Sequence, residues 1–98
     1  MNAWELTDCP RIRSPARLKS DRVRQADVLL LPERVVLLNE TAGAILSMCD
    51  GRTSVAEIIR ALEDRYRQTG LKEDVLEFLR TAAEKGWVET WKPASLTP

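Results

Sequence analysis

Residues 26–51 read ADVLLLPERVVLLNETAGAILSMCDG, and the punctuation of this stretch decides the fold. Two apolar blocks, Val28 to Leu31 and Val35 to Leu38, are separated by Pro32, Glu33 and Arg34. Neither block has a 3.6-residue period, so both read as short strands joined by a tight turn, with Pro32 suited to its second position. After Leu38 the period changes. Asn39 reads as a helix N-cap, followed by the stripe Ala42, Ile45, Leu46 and Cys49, with Gly51 closing the element.

Working upstream, RLKSDRVRQ keeps the extended texture, and Ser20-Asp21 marks a second turn. Three strands are therefore expected, at about 17–19, 23–31 and 34–38. A meander of this kind leaves the third strand at an edge. An apolar edge strand is a liability unless something covers it or pairs with it. Working downstream, Ser54-Val55-Ala56-Glu57 is a capping box, and Val55, Ile58, Ile59, Leu62 and Tyr66 form one helical stripe that Gly70 ends. A third helix opens on Glu73 and Asp74 at its positive end, continues through Val75, Phe78, Leu79 and Ala82, and stops at Gly86 before Trp87.

These elements make an α+β chain with a winged-helix-like layout, an N-terminal three-stranded antiparallel sheet followed by a three-helix bundle. Residues 17–91 are read as the domain. Residues 1–16, interrupted by Pro10, Ser14 and Pro15, read as an N-terminal tail, and residues 92–98 as a C-terminal one. Trp4 is the exception within the first tail, a lone aromatic expected to dock.

The composition removes several function classes. With 98 residues the chain makes one small domain, for which a deep enclosed active site is not expected. Its 15 basic and 15 acidic residues cancel, which argues against a partner held by bulk charge, such as non-specific nucleic acid or an anionic membrane. No apolar run is long enough to span a bilayer, and the start MNAWELTDCP lacks the features of a signal peptide. Histidine is absent, so Ser-His-Asp and Cys-His pairs and His-bearing zinc sites are excluded. Cys9 and Cys49 have neither metal nor redox-motif spacing, and Cys49 reads as a small buried hydrophobe in a reduced cytoplasmic chain.

What chemistry remains is recognition. Glu73, Asp74 and Glu77 suit a helix start and a solvated face, and Thr53-Ser54 caps a helix with no base to activate it. Between Arg11 and Arg24 six basic residues stand against Asp21 alone, either a surface for nucleic acid or an acidic peptide or, the reading favoured here, ordinary exposed charge. Winged-helix regulators place their third helix in the major groove. Here residues 71–86 carry Lys72, Arg80 and Lys85 against Glu73, Asp74, Glu77 and Glu84, and such a helix repels phosphate. An exposed strand at 34–38, by contrast, can accept an extended peptide as a fourth strand. On the third helix the apolar positions span an arc of about 160° at 100° per residue, with Leu76 and Ala83 at one margin beside Lys72 and Arg80. That margin reads equally as the wall of a peptide groove or as part of a wide buried stripe.

The ordered series VLL-x-PE, V-x-LN, A-x-x-IL, CDG, T-x-x-x-EII, DV-x-x-FL and KGW, across residues 17–89, closely resembles the PqqD family. Two positions depart from the family pattern: Asp27 stands where histidine is frequent, and Arg34 where glycine follows the PE pair. The resemblance implies a non-enzymatic peptide chaperone of pyrroloquinoline quinone (PQQ) biosynthesis. Such a chaperone binds the precursor peptide PqqA and delivers it to PqqE, a radical S-adenosylmethionine enzyme. The family is the prototype of recognition elements used in other peptide-modifying pathways, lasso peptides among them, and a different leader peptide stays open as an alternative, as does a DNA-binding regulator. Carried onto this chain, the implied peptide site is Arg34, Val35, Val36, Leu37 and Leu38 on the strand with Val75, Leu76, Leu79, Arg80 and Ala83 on the helix. No cofactor, metal, nucleic acid or membrane is implied. The expected state is a cytoplasmic monomer or weak homodimer.

Overall fold

The two apolar blocks of the quoted stretch pair with each other. A computed structural model describes residues 4–23 and 25–91, so Arg24 and the stretch 92–98 read as a tail lie outside the described residues. The elements run β1 (Cys9–Ile12), β2 (Arg17–Asp21), β3 (Ala26–Leu30), β4 (Val35–Leu37), α1 (Glu40–Ser47), α2 (Val55–Tyr66), α3 (Lys72–Glu84) and β5 (Val88–Trp91). Strands β2, β3 and β4 form an antiparallel sheet in that order, which leaves β4 at its margin. The α+β arrangement of a three-stranded sheet followed by three helices is as expected.

The first hairpin is longer than its sequence suggests. The expected strand at 23–31 begins only at Ala26, because the Asp21 carboxylate accepts the Val23 N–H at 3.1 Å and holds a turn. Gln25 completes that turn with φ 54°, and Val23 is left exposed. The second hairpin turns without glycine. Arg34 takes no left-handed backbone, and its carbonyl accepts the Leu31 N–H at 2.9 Å.

In register, Leu18, Leu29 and Val36 lie on one face of the sheet, and Leu29 is fully buried. That face packs on a cluster containing Ile45, Leu46, Ile58, Leu62, Val75 and Leu79. Gly43 allows α1 to approach β3 closely, since a Cβ there would overlap the Asp27 carboxylate. Asp27 occupies that contact, accepting the Ser20 hydroxyl at 3.0 Å. A larger side chain at position 43 would push helix and sheet apart.

The helix starts follow their local signals. Asn39 accepts the Ala42 N–H at 2.7 Å, and both bonds of the Ser54–Glu57 capping box are present. Two helix ends differ from expectation. Helix α1 stops at Ser47 rather than at Gly51, because tightened bonds from the Met48 and Cys49 N–H groups to Ile45 and Leu46 close its last turn. Helix α2 ends at Arg67, in left-handed backbone with φ 52°, rather than at Gly70. Gly86 does end α3, with the Trp87 N–H reaching back to Ala82 at 2.9 Å.

The larger correction concerns residues 1–16, which are no tail where they are described. Strand β1 pairs antiparallel with β5, Cys9 opposite Trp91 and Ile12 opposite Val88. Preceding it, the carbonyls of Leu6 and Asp8 accept the Ala56 and Val55 N–H groups at 3.0 and 2.8 Å. Those are the first donors of α2, which would otherwise have no partner. Trp4 packs against the core, as expected of a docked aromatic. The pairing spans nearly the whole chain, and nothing local marks it.

Candidate functional site

Strand β4 presents its backbone in two phases. The Leu38 N–H donates to the Asp27 carbonyl at 3.1 Å, and the Arg34 carbonyl accepts from Leu31, while Val36 lies opposite Leu29. Antiparallel bonding alternates along a strand, so Val36 also bonds towards β3, and Val35 and Leu37 direct their N–H and C=O groups to the open margin. Their side chains face solvent too: Val35 is 56% and Leu37 59% exposed, whereas Leu38 is 8% exposed and belongs to the core. A strand docking here would find two residues ready to bond.

On α3 the sequence-derived residues divide by depth. Val75 and Leu79 are 1% and 0% exposed, so they form the foundation of the helix and not a surface. Leu76 and Ala83 are half-buried against the same core, and Arg80 is exposed. Of the ten residues singled out, Leu38, Val75 and Leu79 are therefore inaccessible to a guest, while Arg34, Val35, Leu37 and Arg80 are open to it.

The opposite margin of α3 carries a feature that the sequence reading missed. A cleft of about 450 Å³ is lined by Leu71, Asp74 and Phe78 of that margin, with Tyr66 and Asn39 across from them. Asn39 lies two residues past the end of β4, so the cleft begins just beyond the edge strand. Glu63 accepts the Leu71 N–H at 3.1 Å, which ties the start of α3, and so one wall of the cleft, to α2. The signal was present in the aromatic members of two stripes, Tyr66 and Phe78, but both read equally as core. A wider and more polar cleft of about 780 Å³ opens beside Asp27, Glu40 and Arg65.

The nucleophile inventory is quiet. Burial, with a smaller contribution from neighbouring Asp50, pushes the Cys49 thiol up to about 12, and its Sγ donates to the Ile45 carbonyl at 3.3 Å. That thiol stays protonated at neutral pH and has little nucleophilic character. The Asp50 carboxyl lies below its ordinary value because the Arg52 N–H, then the Thr53 N–H and hydroxyl, bond to its charged form. This is a loop-forming role. No helix of the described residues is long and apolar enough to cross a membrane.

Comparison with known proteins fits this geometry. The family model for coenzyme PQQ synthesis protein D (PqqD) matches residues 28–88. The PqqA binding protein of Azotobacter vinelandii is 42% identical over 90 residues, covering 91% of this chain and 98% of its own. That of Klebsiella pneumoniae is 39% identical over 88 residues, covering 89% and 96%. The solution structure of the PqqD truncation of Methylobacterium extorquens PqqCD, described as a functional, stand-alone recognition element for ribosomally synthesized, post-translationally modified peptides, superposes with a TM-score of 0.73. It is 36% identical and covers 89% of this chain and 95% of that one. A family match over residues 28–88, relatives of about 40% identity along nearly the whole chain and a solved fold that superposes on this one place the protein in the PqqD family.

Proposed function

We propose that this chain is the PqqA-binding chaperone of PQQ biosynthesis, taking the precursor as an added strand on β4 and presenting it to PqqE without contributing a catalytic group. The observation that carries the reading is the open margin of β4, with Val35 and Leu37 unpaired in backbone phase and exposed in side chain. A short disordered precursor loses conformational freedom on binding, and ladder bonds offset that loss with little regard to side-chain identity. Choice of sequence comes from alternate side chains entering the groove, walled by Leu76, Ala83 and Arg80 on this reading. Holding peptide and enzyme together raises the effective concentration of one at the other. The chaperone acts in the cytoplasm as a monomer or weak homodimer, without nucleic acid.

Fluorescence anisotropy with labelled PqqA and with labelled duplex DNA tests this. The expected result is saturable peptide binding and little DNA binding at physiological salt. Tight, sequence-selective DNA binding with no response to the peptide would overturn it. Leu76→Asp and Arg80→Glu examine the wall: both are expected to fold and to weaken PqqA binding. If both bind normally, the groove lies on the other margin of α3, beside Phe78.

A further inference from the structure

The sheet has a second face, opposite the one that packs on the core cluster. In register, Arg17, Leu30 and Val35 form one row across the three strands, and Lys19, Val28 and Leu37 the next, all on the face turned away from the helices. Val28 is only 5% exposed, yet it is not part of the core cluster. Its register neighbours on the outer face are Lys19 on β2 and Leu37 on β4. Lys19, Arg22, Val28, Leu30 and Val35 line a groove of about 490 Å³ along this face. The groove also meets Asp21, whose carboxylate is engaged by the Val23 N–H in the turn. The result is an aliphatic strip with a basic border on the β2 side, built by part of the basic run between Arg11 and Arg24.

We propose that this outer face docks a folded protein whose contact patch has an aliphatic centre and an acidic rim and that, on the function proposed above, this protein is the modifying enzyme that receives the peptide. The charges select among occupants. A second copy of this chain, meeting the face isologously, brings the same basic border onto itself. A nucleic acid uses the cations but gains nothing from Leu37 and Val35, which lie open beside them. The strip is also continuous with the peptide edge. A guest strand on β4 extends the sheet, and its alternate side chains emerge on this same face beside Val35 and Leu37. An enzyme docked here meets chaperone and peptide as one surface.

The test uses the full chain, PqqE and synthetic PqqA in separate titrations. Arg17→Glu with Lys19→Glu reverses the border on β2, away from the peptide edge, and Arg17→Gln with Lys19→Gln neutralises it. Charge reversal is expected to weaken PqqE binding on the order of tenfold, neutralisation less, and added salt should weaken the wild-type complex. Affinity for PqqA should stay within about twofold of wild type throughout, since both positions lie two strands from the edge. Unchanged PqqE binding by the reversed variant overturns the proposal, as does loss of PqqA and PqqE binding in equal measure. Duplex DNA binding that the reversal abolishes, with PqqE binding retained, overturns it in favour of a nucleic-acid surface. A wild-type chain that fails to bind PqqA overturns instead the reading on which the proposal rests, and the peptide titration alone reveals that.

Discussion

Strands β1 and β4 are both short and both flank a sheet, but they differ in what their backbone meets. Strand β1 is paired on each side. Strand β5 takes one edge, while the Ile12 N–H donates to the Cys49 carbonyl at 3.2 Å and the Pro10 carbonyl accepts from Gly51 at 2.9 Å on the other. The Arg11 side chain adds a bond to Glu89 at 2.8 Å across the β5 pairing. Among the described residues, strand β4 is paired to β3 alone. A closed edge contributes stability and offers nothing to a partner. An open apolar edge costs the protein some resistance to aggregation, and is kept where a partner fills it. The two edges therefore separate holding the domain together from recognition.

The largest expected effect is at the closed edge. Deleting residues 1–12 strips β1 from β5 and leaves the Val55 and Ala56 N–H groups without partners. That combination should remove ~5 kcal/mol or more, most of the stability of a domain this size. Urea unfolding followed by circular dichroism measures it. A cooperative transition at the wild-type midpoint would show β1 to be an ornament, and the contrast between the edges would fail.

Next comes the phase of β4. Val36→Pro breaks the ladder to β3 and should destabilise the fold by roughly 3 kcal/mol. Val35→Pro and Leu37→Pro remove N–H groups that point to the open margin, so they should cost less stability and weaken PqqA binding tenfold or more. Equal binding by every folded variant would show that the guest does not pair with this strand.

Smaller effects come from the loop that closes β1, where two titrating groups act with opposite sign. The Cys49 thiol is raised in the folded state to about 12 from an ordinary 9.0. The unfolded chain thus loses that proton first as pH rises. Stability tied to this group is complete below pH 9 and falls by roughly 1 kcal/mol by pH 10. Cys49→Ala should flatten that alkaline loss, and thermal unfolding from pH 8 to 10 checks it. If wild type and variant fall in parallel, the thiol is not the titrating group.

Asp50 gives the acid counterpart. Its folded carboxyl is held below the ordinary 3.8, first by the Arg52 N–H. Its stabilising bonds are therefore present above about pH 4 and are lost as pH falls through the folded value. Asp50→Ala should cost on the order of 1 kcal/mol at neutral pH, reduced by exposure to solvent, and less in acid. A cost that does not shrink between pH 6 and 3 would mean that the loop is closed by something other than this carboxylate.

Much of this was legible residue by residue. Asn39, the Ser54–Glu57 pair and the stripe from Val55 to Tyr66 act within one or two helical turns, so local spacing was enough to read them. The Pro32–Glu33 turn set two apolar blocks side by side and made the second an edge. Physics of that range is written in neighbours. Phase was not written there, because Val35 to Leu38 is an unbroken apolar run with no alternation. Only the register against Leu29 decided that Val36 and Leu38 face the core while Val35 and Leu37 face out. Depth on α3 was similar. A wide arc names its members without telling which margin is open, and packing put the cleft beside Phe78. The pairing of β1 with β5 was least legible of all, since its partners are brought together from opposite ends of the chain by the core between them. Sequence determined the three-stranded sheet, the three helices and the family, but not the strands β1 and β5 at the two ends. Tertiary structure decided which edges are closed, because a backbone hydrogen bond carries no side-chain signature of its partner.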